Sequence, residues 1–219
     1  MGLSMAVCIK PVPDPKYYDR ITIDPVKKTI TRQGIPTIMN PIDKHALEAA
    51  LALRDKTGGT VTVITMAPPG AEDTLREALA MGADQAVQLS DRVFAGADTW
   101  ATSYTLAMGL KKVGQFDLIF TGSESADGAT SQVPAQLAEW MGIPHVWNVR
   151  EITLLNEDTV SAKMKIENGY IEYQASLPIL LGVAREANKP RYIGLAGVMK
   201  AKKKPLTVIG RSELDVLDD

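Results

Sequence analysis

Apolar residues fall into two rhythms along the chain. Short apolar-rich runs, Met5–Ile9, Val61–Thr65, Ala86–Leu89 and Leu118–Phe120, read as strands, the first of them apolar throughout and so buried on both faces, since a wet face would put a polar residue at every second position. Between them apolar positions recur three and four apart, as on one side of a helix. Ala46, Leu47, Ala50 and Leu51 follow Asn40-Pro41; Ala71, Leu75, Ala78 and Leu79 follow Pro68-Pro69-Gly70; Trp100, Ala101, Tyr104, Ala107 and Met108 follow Asp98. A fourth set, Val133, Leu137, Trp140 and Met141, predicts a helix from near Thr130 to Gly142 with Pro134 in its first turn. Asn40 and Asp98 are placed to cap their helices, and the Trp100 stripe reads as core packing. Strands alternating with helices predict an α/β fold, a parallel doubly wound sheet covered on both faces.

Two stretches break the alternation. Lys10 to Asp14, with two prolines in three residues, reads as a stiff loop, and Ile21-Thr22-Ile23 with Thr29-Ile30-Thr31 reads as a hairpin around Asp24–Lys28, a flap or a subunit contact. After Pro144 the pattern changes to Val146–Thr153, Thr159–Lys165 and Tyr170–Ala175, with Asn168-Gly169 as a tight turn, followed by the apolar run Ile179–Val183. This predicts an antiparallel or mixed C-terminal extension.

The stretch with the most chemistry is Thr121–Gln132, between the fourth strand and the fourth helix. A helix start presents unpaired N–H groups and about half a positive charge, which suits a phosphate. Gly128 and Ala129 allow close approach to the backbone, while Thr130, Ser131 and Gln132 add side-chain donors. The same residues also suit plain helix capping, with Asp127 or Thr130 accepting the N–H bonds. In a parallel sheet the strand ends at Cys8, Met66 and Thr121 fall along one edge, where such folds bind nucleotides. Met66 suits a flat base or simple core packing, and His45 reads as an edge residue.

Composition narrows the classes. The chain has 219 residues, 23% charged, with a net charge of -2, and so lacks the basic excess of a nucleic-acid binder. A single Cys8 excludes an internal disulfide, and two histidines, His45 and His145, leave little for a zinc site. There is no apolar run of membrane-span length and no signal-peptide core at the start, so a cytoplasmic protein is expected. No nucleophile–base set, carboxylate pair, Walker loop, GxGxxG or HExxH stands out. A nucleotide-binding chain without catalytic side chains reads as a carrier, scaffold or regulator.

Seven blocks then carry a family resemblance: VCIKPVPD from Val7, IMNPIDKHALEAAL from Ile38, VTVITMAPP from Val61, LREALAMGAD from Leu75, SDRVFAGADTWATS from Ser90, ADGATSQVPAQLAEWMGIP from Ala126 and RYIGLAGVMKAKKKP from Arg191. In that order, along nearly the whole length, the chain resembles the electron transfer flavoprotein β subunit, the FixA-like family. The resemblance implies a Rossmann-like sheet of the adenine nucleotide hydrolase-like type over residues 1–190. It implies pairing with an α subunit that holds a redox-active FAD, and an adenine nucleotide in the β subunit, AMP or a second FAD. The nucleotide is expected at Cys8, Asn40, Pro41, Ile42, Asp43, Met66 and the loop Gly122, Ser123, Glu124, Ser125, Ala126, Asp127, Gly128, Ala129, Thr130, Ser131, Gln132 and Val133. Several blocks are similar to the electron-bifurcating branch, in which FAD replaces AMP. Ala129 and Pro134 depart from that branch, which often carries an acidic residue and a glycine there.

Residues 191–219 are expected to form a recognition loop and a truncated C-terminal tail, since family members continue past this point as an arm across the α subunit. In the loop Leu195 would anchor in an acyl-CoA or other flavin dehydrogenase, with Lys200 and its neighbours orienting acidic partners. Read without the resemblance, the four lysines among Lys200–Lys204 are a solvated face. A stand-alone ATP- or AMP-binding regulator of similar fold, and an ATP-dependent activating enzyme, are the alternatives.

Overall fold

In the computed structural model, which describes residues 2–23, 25, 30–31 (backbone only) and 34–215, the first apolar run forms β1 (Leu3–Cys8). Then come β2 (Pro11–Pro13), β3 (Thr22–Ile23), β4 (Ile30–Thr31), β5 (Thr37–Met39) and α1 (Pro41–Thr57). Next are β6 (Gly59–Met66), α2 (Glu72–Met81), β7 (Gln85–Leu89), α3 (Thr99–Val113), β8 (Leu118–Gly122) and α4 (Val133–Met141). The last third holds β9 (His145–Leu154), β10 (Thr159–Ile166), β11 (Gly169–Ser176), β12 (Ile179–Val183), α5 (Leu195–Ala201) and β13 (Leu206–Ile209).

Nine of these strands make one sheet, in the order β11-β10-β9-β12-β8-β1-β6-β7-β13. From β9 to β13 across the sheet every neighbouring pair is parallel, and only β9-β10-β11 run antiparallel, so the sheet is mixed. The chain leaves β1 toward β6 and β7, then returns to β8 on the other side of β1, which makes the β1–β8 junction the point where strand order reverses.

Helices cover both faces. Ala46, Leu47, Ala50 and Leu51 of α1 and Leu75, Ala78 and Leu79 of α2 pack on Met5, Val7, Val61, Val63 and Phe120. Leu106, Ala107 and Leu110 of α3 and Leu137 and Ala138 of α4 pack on Ala6, Ile64, Ile119 and Leu180 from the other side. Each large apolar side chain so buried contributes about 1.5–3 kcal/mol, which is why the unbroken runs take the central positions.

The predicted stripe on α3 is only partly core: Ala107 is buried and Met108 packs against the core, but the inward face is rotated by about one residue. Trp100 and Ala101 are exposed, and the buried face is Ser103, Leu106, Ala107 and Leu110. Trp100 and Tyr104 instead meet Trp140 of α4, with ring centroids 4.6 and 4.9 Å apart, so the aromatics tie two helices together at the margin of the core, against which Trp140 packs. The proline-rich Lys10–Asp14 is not loop throughout, because Pro11–Pro13 pairs antiparallel with Thr37–Met39. Two residues on each side of the hairpin also pair, Thr22 with Thr31 and Ile23 with Ile30. Thr29, Asp24 and Val26–Lys28 lie outside the described residues.

Candidate functional site

A cavity of about 660 Å³ opens at the carboxyl ends of β1, β6 and β8, at the reversal point. Cys8, Met66, Phe94, Leu106 and Val133 supply apolar wall, and Lys10, Ser125, Thr130 and Ser131 supply polar groups. The size and the mixture suit one small organic ligand with a charged end.

One buried carboxylate joins the strand ends that frame it. Asp43, in the first turn of α1, accepts the backbone N–H of Lys10 at 2.8 Å and of Gly122 at 3.2 Å, and the Asn40 side-chain amide at 2.9 Å. A side chain at Gly122 would run into Asp43 Oδ1 and Ile42, so only glycine lets β8 end this close to α1. Burial pushes the Asp43 carboxyl up from its ordinary 3.8 to about 7, against the pull of its hydrogen bonds and of Lys10. Burial, and then the nearby Asp43, push the Cys8 thiol well above its usual range, so it stays protonated and is no nucleophile.

The loop after β8 is clamped from several sides. Asn40 does not cap α1 with its side chain. It donates to the Glu124 carbonyl at 2.9 Å and accepts the Ala126 N–H at 3.1 Å. Lys10 Nζ reaches Asp127 at 2.7 Å, the Tyr18 hydroxyl donates to the Ala126 carbonyl at 3.2 Å, and Trp147 Nε1 donates to the Ser123 carbonyl at 3.0 Å. So held, the loop sustains two non-glycine residues in left-handed backbone, Ala129 (φ 48°) and Ser131 (φ 56°), each strained by about 1–2 kcal/mol.

Those residues delay the helix. α4 begins at Val133, not near Thr130, because Ser131 cannot be helical, and no side chain caps its start. Gln132 accepts the Thr99 hydroxyl at 3.0 Å instead, and Ser131 donates to Glu124 at 3.2 Å. At the cavity wall the buried Thr121 hydroxyl has no protein partner among the described residues. An uncapped helix start, an orphaned hydroxyl and a strained loop together fit a phosphate-bearing ligand.

Of the residues expected at the site, Cys8, Asn40, Asp43, Met66, Gly122, Glu124, Ser125, Gly128, Thr130, Ser131 and Val133 line the cavity. Pro41, Ile42, Ser123, Ala126, Asp127, Ala129 and Gln132 are not among its lining residues. Sequence reading missed the segment after β7, where Asp91, Phe94, Asp98, Thr99 and Thr102 form the opposite wall. It also missed Lys10, Tyr18 and Trp147 as anchors. Lys10 alone carried a local signal, as a cation directly after the first buried strand.

The model of the electron transfer flavoprotein domain matches residues 27–214. The chain belongs to the electron transfer flavoprotein family. It is 44% identical over 214 residues to the electron transfer flavoprotein subunit beta of Clostridium acetobutylicum, covering 98% of this chain and 81% of that protein. The caffeyl-CoA reductase-Etf complex subunit CarD of Acetobacterium woodii is 44% identical, over 97% of this chain and 80% of that one. Protein FixA of Bradyrhizobium diazoefficiens is 43% identical, over 97% and 75%. The chain's relatives are β-type subunits, and the family's work is electron transfer.

The residues expected to dock a partner lie away from this cavity, on α5. Leu195 is 80% exposed, and Tyr192, Ile193, Val198 and Met199 are exposed around it. Lys200, Lys202 and Lys203 face solvent beside them. Lys204 departs from the solvated-face reading. Its Nζ donates to the carbonyls of Leu79, Gly82 and Ala83 at the end of α2, which satisfies a helix C-terminus. Among the described residues no helix is long and apolar enough to cross a membrane, and no cluster of His, Cys, Asp and Glu could hold a metal ion.

Proposed function

We propose that the cavity holds an adenine nucleotide, AMP or a second FAD, and that the chain pairs with an α subunit whose FAD it helps to hold. The observation that carries this reading is the clamped loop before α4. Left-handed Ala129 and Ser131 stay strained only because Lys10, Asn40, Tyr18 and Trp147 hold the loop there, and the result is an uncapped helix start facing the cavity. Thr130 and Ser131 would meet the phosphate, the Thr121 hydroxyl a buried polar atom of the nucleotide, and Met66 with Cys8 the apolar side of the cavity. AMP would be structural, whereas FAD supplies hydride and single-electron chemistry when bound.

Leu195 is the proposed anchor in a flavin dehydrogenase, and the exposed lysines beside it favour an acidic rim on that partner. The name of the Acetobacterium woodii relative, a subunit of a caffeyl-CoA reductase complex, favours a partner acting on CoA thioesters. Denaturing the purified αβ complex and identifying the released nucleotides by mass spectrometry tests the site. One AMP per FAD, or two FAD per complex, is expected. One FAD alone, with no AMP or FAD taken up on addition, would remove the proposal.

A further inference from the structure

The exposed apolar patch on α5 is carried by a helix of seven residues, too short to hold its shape in water without outside support. Its support comes from two sets of polar contacts beneath it. On the upstream side, Asn188 donates to the His45 carbonyl at 2.8 Å, and the Glu48 carboxylate then takes hold of Arg191 three times. It accepts the Arg191 backbone N–H at 3.0 Å, Nε at 2.8 Å and Nη2 at 3.0 Å, while Nη2 also reaches Asp55 at 3.0 Å. Glu48 is buried, so both the direction of the main chain and that of the guanidinium are set by one group that has no room to move.

On the downstream side, Arg76 of α2 donates to the carbonyls of Ala201 at 2.9 Å and Lys204 at 3.0 Å, and Lys204 in turn caps α2. Between the two anchors α5 touches α2 backbone to backbone. A Cβ at Gly197 would come within 2.5 Å of the Ala80 carbonyl oxygen. Tyr192, Leu195 and Met199 make none of these bonds and point outward.

We infer that Glu48, Arg76 and Gly197 are positioning residues for the docking surface, holding residues 191–204 in the conformation a partner dehydrogenase binds. This rests on the docking role proposed above for Leu195. Ordering a flexible segment at the moment of binding would cost affinity, and the anchors bear that cost in the unbound protein. They touch neither the nucleotide cavity nor the partner, so their effect passes only through the pose of Leu195.

The test uses the whole αβ complex, with a purified acyl-CoA dehydrogenase as the varied electron-transfer partner. Glu48→Gln and Gly197→Ala are each expected to raise KM for the dehydrogenase by about tenfold, with kcat and nucleotide content unchanged. Gly197→Ala removes no charge, so it keeps the test open should Glu48→Gln fail to fold. Combined with Leu195→Ala, neither change should raise KM further, whereas general destabilisation would add to it. If Leu195→Ala raises KM but both anchor variants leave it alone, or add to it in full, the positioning role is wrong and docking stands. If Leu195→Ala itself leaves KM unchanged, the docking reading fails and this inference goes with it.

Discussion

Replacing Asp43 by asparagine would separate what its hydrogen bonds contribute from what its charge costs. Asp43 accepts from two backbone N–H groups, at the ends of β1 and β8, and from Asn40. An asparagine offers one oxygen, so its amide must face a backbone N–H, leaving buried donors opposed at a cost of about 1–3 kcal/mol. Charge works the other way. Burial raises the carboxyl from 3.8 to about 7. An acid with a raised folded pKa holds its proton more tightly when folded, so its contribution is full below about pH 4 and is lost as pH climbs through 7. At 1.36 kcal/mol per unit of pKa, that loss amounts to about 4 kcal/mol over the window. Asn does not titrate. In urea unfolding without added nucleotide, Asp43→Asn should therefore be the less stable protein at about pH 5, by about 1–3 kcal/mol, and the gap should close or reverse by about pH 8. The Cys8 thiol, which Asp43 also pushes up, stays protonated across this window, so the difference reports this carboxyl. A gap independent of pH would refute the reasoning.

Two further perturbations probe the same frame. Gly122→Ala should lower unfolding stability by about 1–3 kcal/mol, since its Cβ would press Asp43 and Ile42 apart; an unchanged urea midpoint would mean the strand ends have slack. Lys10→Met should weaken binding of AMP or FAD by about tenfold in calorimetric titration, because the lysine holds the loop through Asp127; wild-type affinity would show that the other anchors suffice.

Much of this was legible in the sequence because burial leaves a local trace. The apolar-rich runs became the interior strands, and the start of α1 at Pro41 fell where Asn40-Pro41 predicts it, while its last turns, to Thr57, lie beyond the predicted stripe. Phase and partnership left weaker traces. Trp100, Ala101 and Tyr104 satisfy a helical stripe, but Leu106 and Leu110 satisfy another, and only the sheet decides which faces inward. Asn40 and Thr130 have the chemistry of caps, but the first is taken by Asp43 and the loop, and the second is kept out of the helix by its strained neighbours. The cavity wall after β7 is legible only as a shared motif, since Asp91 and Thr102 come to line one cavity with β8's loop through the fold rather than through spacing. That β12 inserts between β9 and β8 is likewise a matter of long-range pairing.

The far side of the sheet has a consequence for handling this protein. β13 lies beyond β7, and with it the backbone bonds Ala86 N–H to the Pro205 carbonyl and Ser90 N–H to the Ile209 carbonyl close what would otherwise be a bare border. A chain cut before Leu206 would leave β7 with a row of unanswered amides and carbonyls, an invitation for copies to add to one another strand by strand. Because Leu206–Ile209 complete this side of the central sheet, shortening the chain in search of a minimal domain should yield aggregates.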